Sequence, residues 1–178
     1  MRELTLFFLL KKKYICYIIN LKKRGIIMTK KIDSTETGIY KSVNEYLKRY
    51  PFTFAWRIKQ HVGVICKHLN SDEEIYYVFP VQRNSNSFNV FNTCLVALTN
   101  KRILIVQKRV LWGYNITSIT PDMFNDFELT KGLIFGKLDI DTVKEIIRLS
   151  NLDPKALVEI ETNLSEYILE IKPKNDTI

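Results

Sequence analysis

Histidine and cysteine are scarce, and their spacing excludes most of the chemistry they would support. The chain holds two histidines and three cysteines in 178 residues. His61, Cys66 and His68 fall in one helical stretch, but paired zinc ligands on a helix stand four residues apart, and offsets of five and seven turn Cys66 away from the histidines. Structural or exposed roles are expected for all three. Cys16, Cys66 and Cys94 are odd in number and far apart, which fits free thiols in a reducing compartment. There is no third histidine for a triad and no Gly-x-Ser-x-Gly, so nucleophilic hydrolysis has no basis. Internal repeats and low-complexity tracts are also lacking. No apolar run approaches the roughly 20 residues of a bilayer-spanning helix.

Acidic residues are outnumbered, but unevenly. The net charge is +8; residues 1–27 carry seven cations against Glu3, which leaves +2 for the rest. A field that gathers nucleic acid would have to come from the body of the protein, so no nucleic-acid partner is expected. The weaker alternative, single-strand binding by strand aromatics, meets the same objection.

The first residues contain two apolar runs, Leu4–Leu10 and Tyr14–Ile19, split by three lysines. Charges inside the apolar region and the lack of a small-residue cleavage site exclude a signal peptide. Back-translation of Lys23-Arg24-Gly25 gives a purine run of the ribosome-binding type, followed by an AT-rich spacer before Met28. Met28 is therefore expected to be the true start. Residues 1–36 are expected to be a disordered or mis-annotated extension, with Ile32 to Glu36 loose.

Two glycines and a lysine in "TKGLIFGKLDIDT", Thr130 to Thr142, suggest a phosphate loop. Such a loop needs four residues between Gly and Gly-Lys, then Ser or Thr. Here Gly132 and Gly136 enclose three, and Leu138 follows Lys137. The flanking residues alternate as strands, so the glycines are expected to serve a hairpin turn. Asp139 and Asp141 alternate with Leu138 and Ile140 and read as a solvated strand face rather than as a carboxylate pair for catalysis.

Apolar positions at helical spacing (Ile39, Val43, Tyr46, Leu47, Tyr50) predict a first helix ended by Pro51. Phe54, Ile58, Val62, Ile65 and Leu69 predict a second, starting after Thr53. The pattern then turns to period two, with strands expected at Glu74–Gln82, Phe91–Thr99, Arg102–Arg109, Tyr114–Thr120, Phe124–Thr130, Phe135–Asp141 and Val143–Asn151. Pro80 suggests an edge or a bulge in the first of these. Lys101 and Arg102 read as solubilising turn residues. A last helix, capped by Asp153 with Pro154 in its first turn, carries the stripe Leu157, Ile160, Leu164, Tyr167, Ile168 and Ile171.

The segments "ALTNKRILIV" (Ala97–Val106) and "ITSITPDMFNDFELTKGLIFGKLDIDT" (Ile116–Thr142) resemble the YokE-like family of bacterial pleckstrin-homology-like (PH-like) domains. That family pairs a "LTNKR" hairpin with a Gly-x-x-x-Gly-Lys turn. The likeness runs from about Leu69 to Ile171; the long polar first loop and the Phe-rich "MFNDF" depart from it. It implies an α+β protein: a PH-like barrel of about seven antiparallel strands closed by a C-terminal helix and preceded by two helices. The organisation expected is a helical lead-in over residues 37–69, the PH-like domain over 70–172 and a tail over 173–178.

The resemblance implies an interaction module rather than an enzyme; no cofactor, metal or small-molecule substrate is expected, and the location expected is the cytoplasm, with the inner face of the membrane as the alternative. It is expected to dock a protein partner or itself. The alternative is peripheral binding of anionic lipid through the open end, where the fold places the loops holding Arg83 and "KRVLWGY" (Lys108–Tyr114). Lys108 and Arg109 followed by Leu111 and Trp112 combine attraction for headgroups with interfacial apolar groups. Against this, Leu111 and Trp112 would fold back and cap the barrel. The aromatic-rich leading helices must also bury their apolar faces, on the barrel or on a second protomer.

Overall fold

A computed structural model describes residues 31–84 and 89–171. The expected start at Met28, Cys16, the tip of the polar first loop and the C-terminal tail lie outside the described residues.

Ile32 to Glu36, expected to be loose, is held on both sides. The Ile32 N–H donates to the Ile75 carbonyl (2.8 Å), and Thr35 Oγ1 accepts from the Gly38 N–H (3.1 Å). That second bond is an N-cap, with Glu36 in the first turn beside the positive end of the helix dipole. Helix α1 is Glu36–Arg49 and α2 is Ile58–His68. The second helix begins four residues later than Phe54, because Arg57 takes a left-handed conformation (φ 57°) and the chain from Thr53 up to it is neither helix nor strand.

Seven antiparallel strands follow: β1 (Ile75–Arg83), β2 (Thr93–Thr99), β3 (Ile103–Lys108), β4 (Tyr114–Ile119), β5 (Phe124–Lys131), β6 (Gly136–Thr142) and β7 (Ile146–Leu152). Their order is β4-β3-β2-β1-β7-β6-β5, one bent sheet in which β4 and β5 are the terminal strands. The expected strands and the Gly132–Gly136 hairpin are all present. Pro80 lies in an inner strand, yet β1 pairs with β7 only through Gln82 and Arg83, so no ladder on that side needs its missing N–H.

Every residue of β2 is buried, because both sheet faces are covered. Leu95 and Ala97, with Leu104 and Val106 of β3, pack against Ile39, Val43, Val62 and Ile65 of the leading helices. The alternate residues Cys94, Val96 and Leu98 face the interior and the final helix. The leading helices thus bury their apolar stripe on the outside of the first strands. Helix α3 (Leu157–Ile171) seals the interior with Leu157, Ile160, Leu164 and Tyr167. Asp153 caps the turn that enters it, its Oδ1 accepting from the Lys155 N–H (2.9 Å). Gly136 permits the close approach of α3, since a Cβ there would stand 2.6 Å from Leu157 Cδ2.

Arg102 is not a solubilising turn residue. It folds back onto buried Glu73, with Nε and Nη2 donating to the two carboxylate oxygens at 2.9 and 2.8 Å, and also reaches the His68 carbonyl (2.8 Å). Burial alone would raise the Glu73 pKa, but the hydrogen bonds from Arg102 and Thr99 hold it below the usual carboxylate value.

Truncation of Leu164, fully buried, should cost about 2–5 kcal/mol of unfolding free energy. The Leu169→Ala change on the same helix, at a side chain 68% exposed, should stay within about 0.5 kcal/mol. Urea titration of both variants checks the burial of the α3 stripe.

Candidate functional site

The loop between β3 and β4 has a fixed base and an exposed tip. The Arg109 N–H donates to the Gly113 carbonyl (3.2 Å), and Gly113 (φ +74°) closes the turn. Leu111 is 83% and Trp112 85% exposed. They do not fold back to cap the barrel. Beneath them the Lys108 N–H donates to His61 Nδ1 (2.8 Å), while His61 Nε2 donates to the Trp56 carbonyl (3.1 Å). Arg57 Nη1 adds bonds to the carbonyls of Arg109 and Val110, at 3.1 and 3.2 Å. Lys108 is half-buried and Arg109 exposed, with its Nε donating to Asn115 (3.1 Å).

Arg83 is engaged differently. Its guanidinium reaches Thr117 Oγ1 (3.3 Å) and Glu145 (3.9 Å), joining the end of β1 to β4 and to the β6–β7 turn. Arg109, Leu111 and Trp112 therefore form the exposed tip, with half-buried Lys108 at its base as the last residue of β3, while Arg83 is half-buried and holds neighbouring elements together.

Pattern reading missed the strap, residues 50–57, which joins α1 to α2. Its main chain is held by side chains of distant strands. The Phe52 N–H donates to Asp153 Oδ2 and the Phe54 N–H to Asn151 Oδ1, both at 3.3 Å, and Asn151 Nδ2 returns a bond to the Phe54 carbonyl. Thr93 Oγ1 accepts from the Trp56 N–H (3.3 Å), and Thr53 Oγ1 from the Asp153 N–H (3.0 Å). Thr53 points inward, whereas Phe52, Phe54 and Trp56 are 55%, 50% and 38% exposed. The alternation of three aromatics after Pro51 is the signal in "PFTFAWR" that would have revealed an extended segment.

A groove of about 710 Å³ lies between α1, β1 and α3. Its buried carboxylate, Glu159, accepts from Arg49 Nη2 (2.7 Å) and the Tyr50 hydroxyl (2.6 Å), and this ties the lead-in to α3. Burial and the bond to Glu159 push the Tyr50 hydroxyl up to about 12. These are structural contacts rather than a nucleophile with its base. Asp139 and Asp141 lie on the partly exposed face of β6, opposite buried Leu138 and Ile140. His68 stacks edge-on against Tyr114. Among the described residues no group of three His, Cys, Asp or Glu is placed to hold a metal ion.

A bent antiparallel sheet sealed by a C-terminal helix defines a PH-like domain. The family model for the bacterial PH domain matches residues 69–175, more than half of the chain, and the protein belongs to that family. Two solved structures are similar. One is a DUF1696-family protein with a pleckstrin-homology domain from Shewanella loihica, at 13% identity over 74% of this chain and 93% of that one, with a TM-score of 0.40. The other is a pleckstrin homology domain from Shewanella amazonensis, at 14% identity over 69% of this chain and 98% of that one, with a TM-score of 0.43. No curated protein matches. PH-like domains serve interactions in general and are generally non-catalytic. Among the described residues no helix is long and apolar enough to cross a membrane.

Burial lowers the His61 pKa from 6.5 to about 4, so folding favours the neutral ring that bridges strap and loop. The stability it confers is complete above pH 6.5 and is lost as pH falls toward 4. The difference in urea midpoint between wild type and His61→Gln should shrink across that window; a constant difference would show that His61 does not bridge as a neutral ring.

Proposed function

We propose that this protein is a non-catalytic interaction module that docks peripherally on an anionic membrane surface through its 109–113 loop, at the cytoplasmic face. The observation that carries this is the exposure of Leu111 and Trp112 on a loop whose base is immobilised, directly after Lys108 and Arg109. Exposed apolar groups of that size need an apolar destination, and adjacent cations select one rimmed by negative charge. A tip held rigid from below loses little further freedom on insertion. The "LTNKR" hairpin and Gly-x-x-x-Gly-Lys turn support placing the chain among YokE-like members of its family.

Docking of a protein partner is the second reading, and β5 favours it. It pairs on one side only, with β6, and seven of its eight residues, all but Phe124, are exposed or half-buried. An extended peptide could add to such an edge by main-chain pairing.

Sedimentation with vesicles of phosphatidylcholine alone or with phosphatidylglycerol separates these readings. Wild type should bind the anionic vesicles and release them in high salt. Trp112→Ala should weaken binding about tenfold through lost apolar burial. Lys108→Ala/Arg109→Ala should weaken it roughly thirtyfold, at about 1 kcal/mol per cation. Equal binding by all three, insensitive to salt, would refute membrane docking.

A further inference from the structure

The turn between β5 and β6 repeats the chemistry of the 109–113 loop. Leu133 is 99% and Ile134 56% exposed, and the exposed lysines Lys131 and Lys137 flank them. The turn is tight, closed by the Gly132 N–H donating to the Phe135 carbonyl (3.2 Å). A single exposed leucine is ordinary. This one belongs to a connected face. The Phe135 ring meets Phe54 of the strap at 6.0 Å, and Trp56 of the strap meets Phe91 at 5.3 Å. Arg57, next along, holds the carbonyls of Arg109 and Val110. Phe54 and Arg57 are three residues apart, a span of roughly 10 Å in extended chain.

The four segments that build this face, residues 50–59, 89–95, 108–117 and 130–138, contain no aspartate or glutamate. They carry Arg57, Lys59, Lys108, Arg109, Lys131 and Lys137. The acidic residues nearest the turn, Glu128 and Asp139, stand farther along β5 and β6, so the charge at the loop tips favours an anionic occupant. In a two-fold dimer through this face each patch would meet its own copy, cation against cation. An anionic bilayer offers negative headgroups to the lysines and arginines and an apolar interior to the side chains between them.

We propose that the β5–β6 turn, the strap aromatics and the 109–113 loop form one membrane-docking face, with Leu133 and Ile134 as a second point of insertion into an anionic bilayer. This rests on the reading of the 109–113 loop given above and adds a contact outside it.

The test uses the full chain and vesicles of about one part phosphatidylglycerol to three parts phosphatidylcholine. Leu133→Ser/Ile134→Ser alters only exposed positions, and it should weaken sedimentation about tenfold, as Trp112→Ala does. Combining the changes should abolish it. Hydrogen exchange of wild type should slow over residues 130–137 when vesicles are added. If Leu133→Ser/Ile134→Ser binds like wild type while Trp112→Ala does not, the second insertion point is refuted and the loop survives. If wild type itself fails to bind, both fall. If light scattering finds a wild-type dimer that Leu133→Ser/Ile134→Ser converts to monomer, a second copy covers the turn and the bilayer is the wrong occupant.

Discussion

Strands β1 to β3 must be buried on both faces, and the rest of the architecture answers that requirement. An antiparallel strand with one wet face alternates apolar and polar residues. "TCLVALT" in β2 does not, and each of its two apolar sets needs its own cover. The final helix supplies one cover, and α1 and α2 the other. The leading helices therefore complete the core of the sheet although the family match begins only at Leu69. At about 25 cal/mol per Å² of apolar surface removed from water, leaving either face open would cost far more than any single contact contributes.

Covering the outer face creates a second requirement, because α1 ends beside α3 and α2 starts beside β3, and the strap must cross between them. Its backbone has no ladder to join. Asn151, Asp153 and Thr93 act as surrogate partners, so the extended chain keeps its hydrogen bonds without becoming an eighth strand. Extended geometry then sends Thr53 inward and the three aromatics outward.

How much of this was legible follows from the range of the interactions concerned. The strands, their hairpins and the α3 stripe are written in local periodicity, and the alternating pattern from Leu138 to Thr142 was enough to reject a phosphate loop. The "KRVLWGY" loop was legible as a candidate for the same reason, since cations beside Leu111 and Trp112 are adjacent in sequence. The strap was not. Phe54 and Ile58 fit a helical spacing as well as Phe52, Phe54 and Trp56 fit an extended one. What decides between them is a set of partners 97, 101 and 37 residues away. Arg102 misled in the same way, because its partner Glu73 lies 29 residues back and is brought beside it only when β1 pairs with β2.

The strap also explains why an exposed tip need not be a mobile one. His61 and Arg57 take the β3–β4 loop from beneath, and both belong to the region where the strap enters α2. The helical lead-in, which precedes the family match, therefore fixes the base of this loop. A lead-in that served only to cover the outer sheet face would have no reason to carry its aromatics outward. One that also builds an interface needs them there, aligned with the loop whose position it sets. On the docking reading proposed above, covering the core and presenting an interface are two consequences of one connection between α1 and α2.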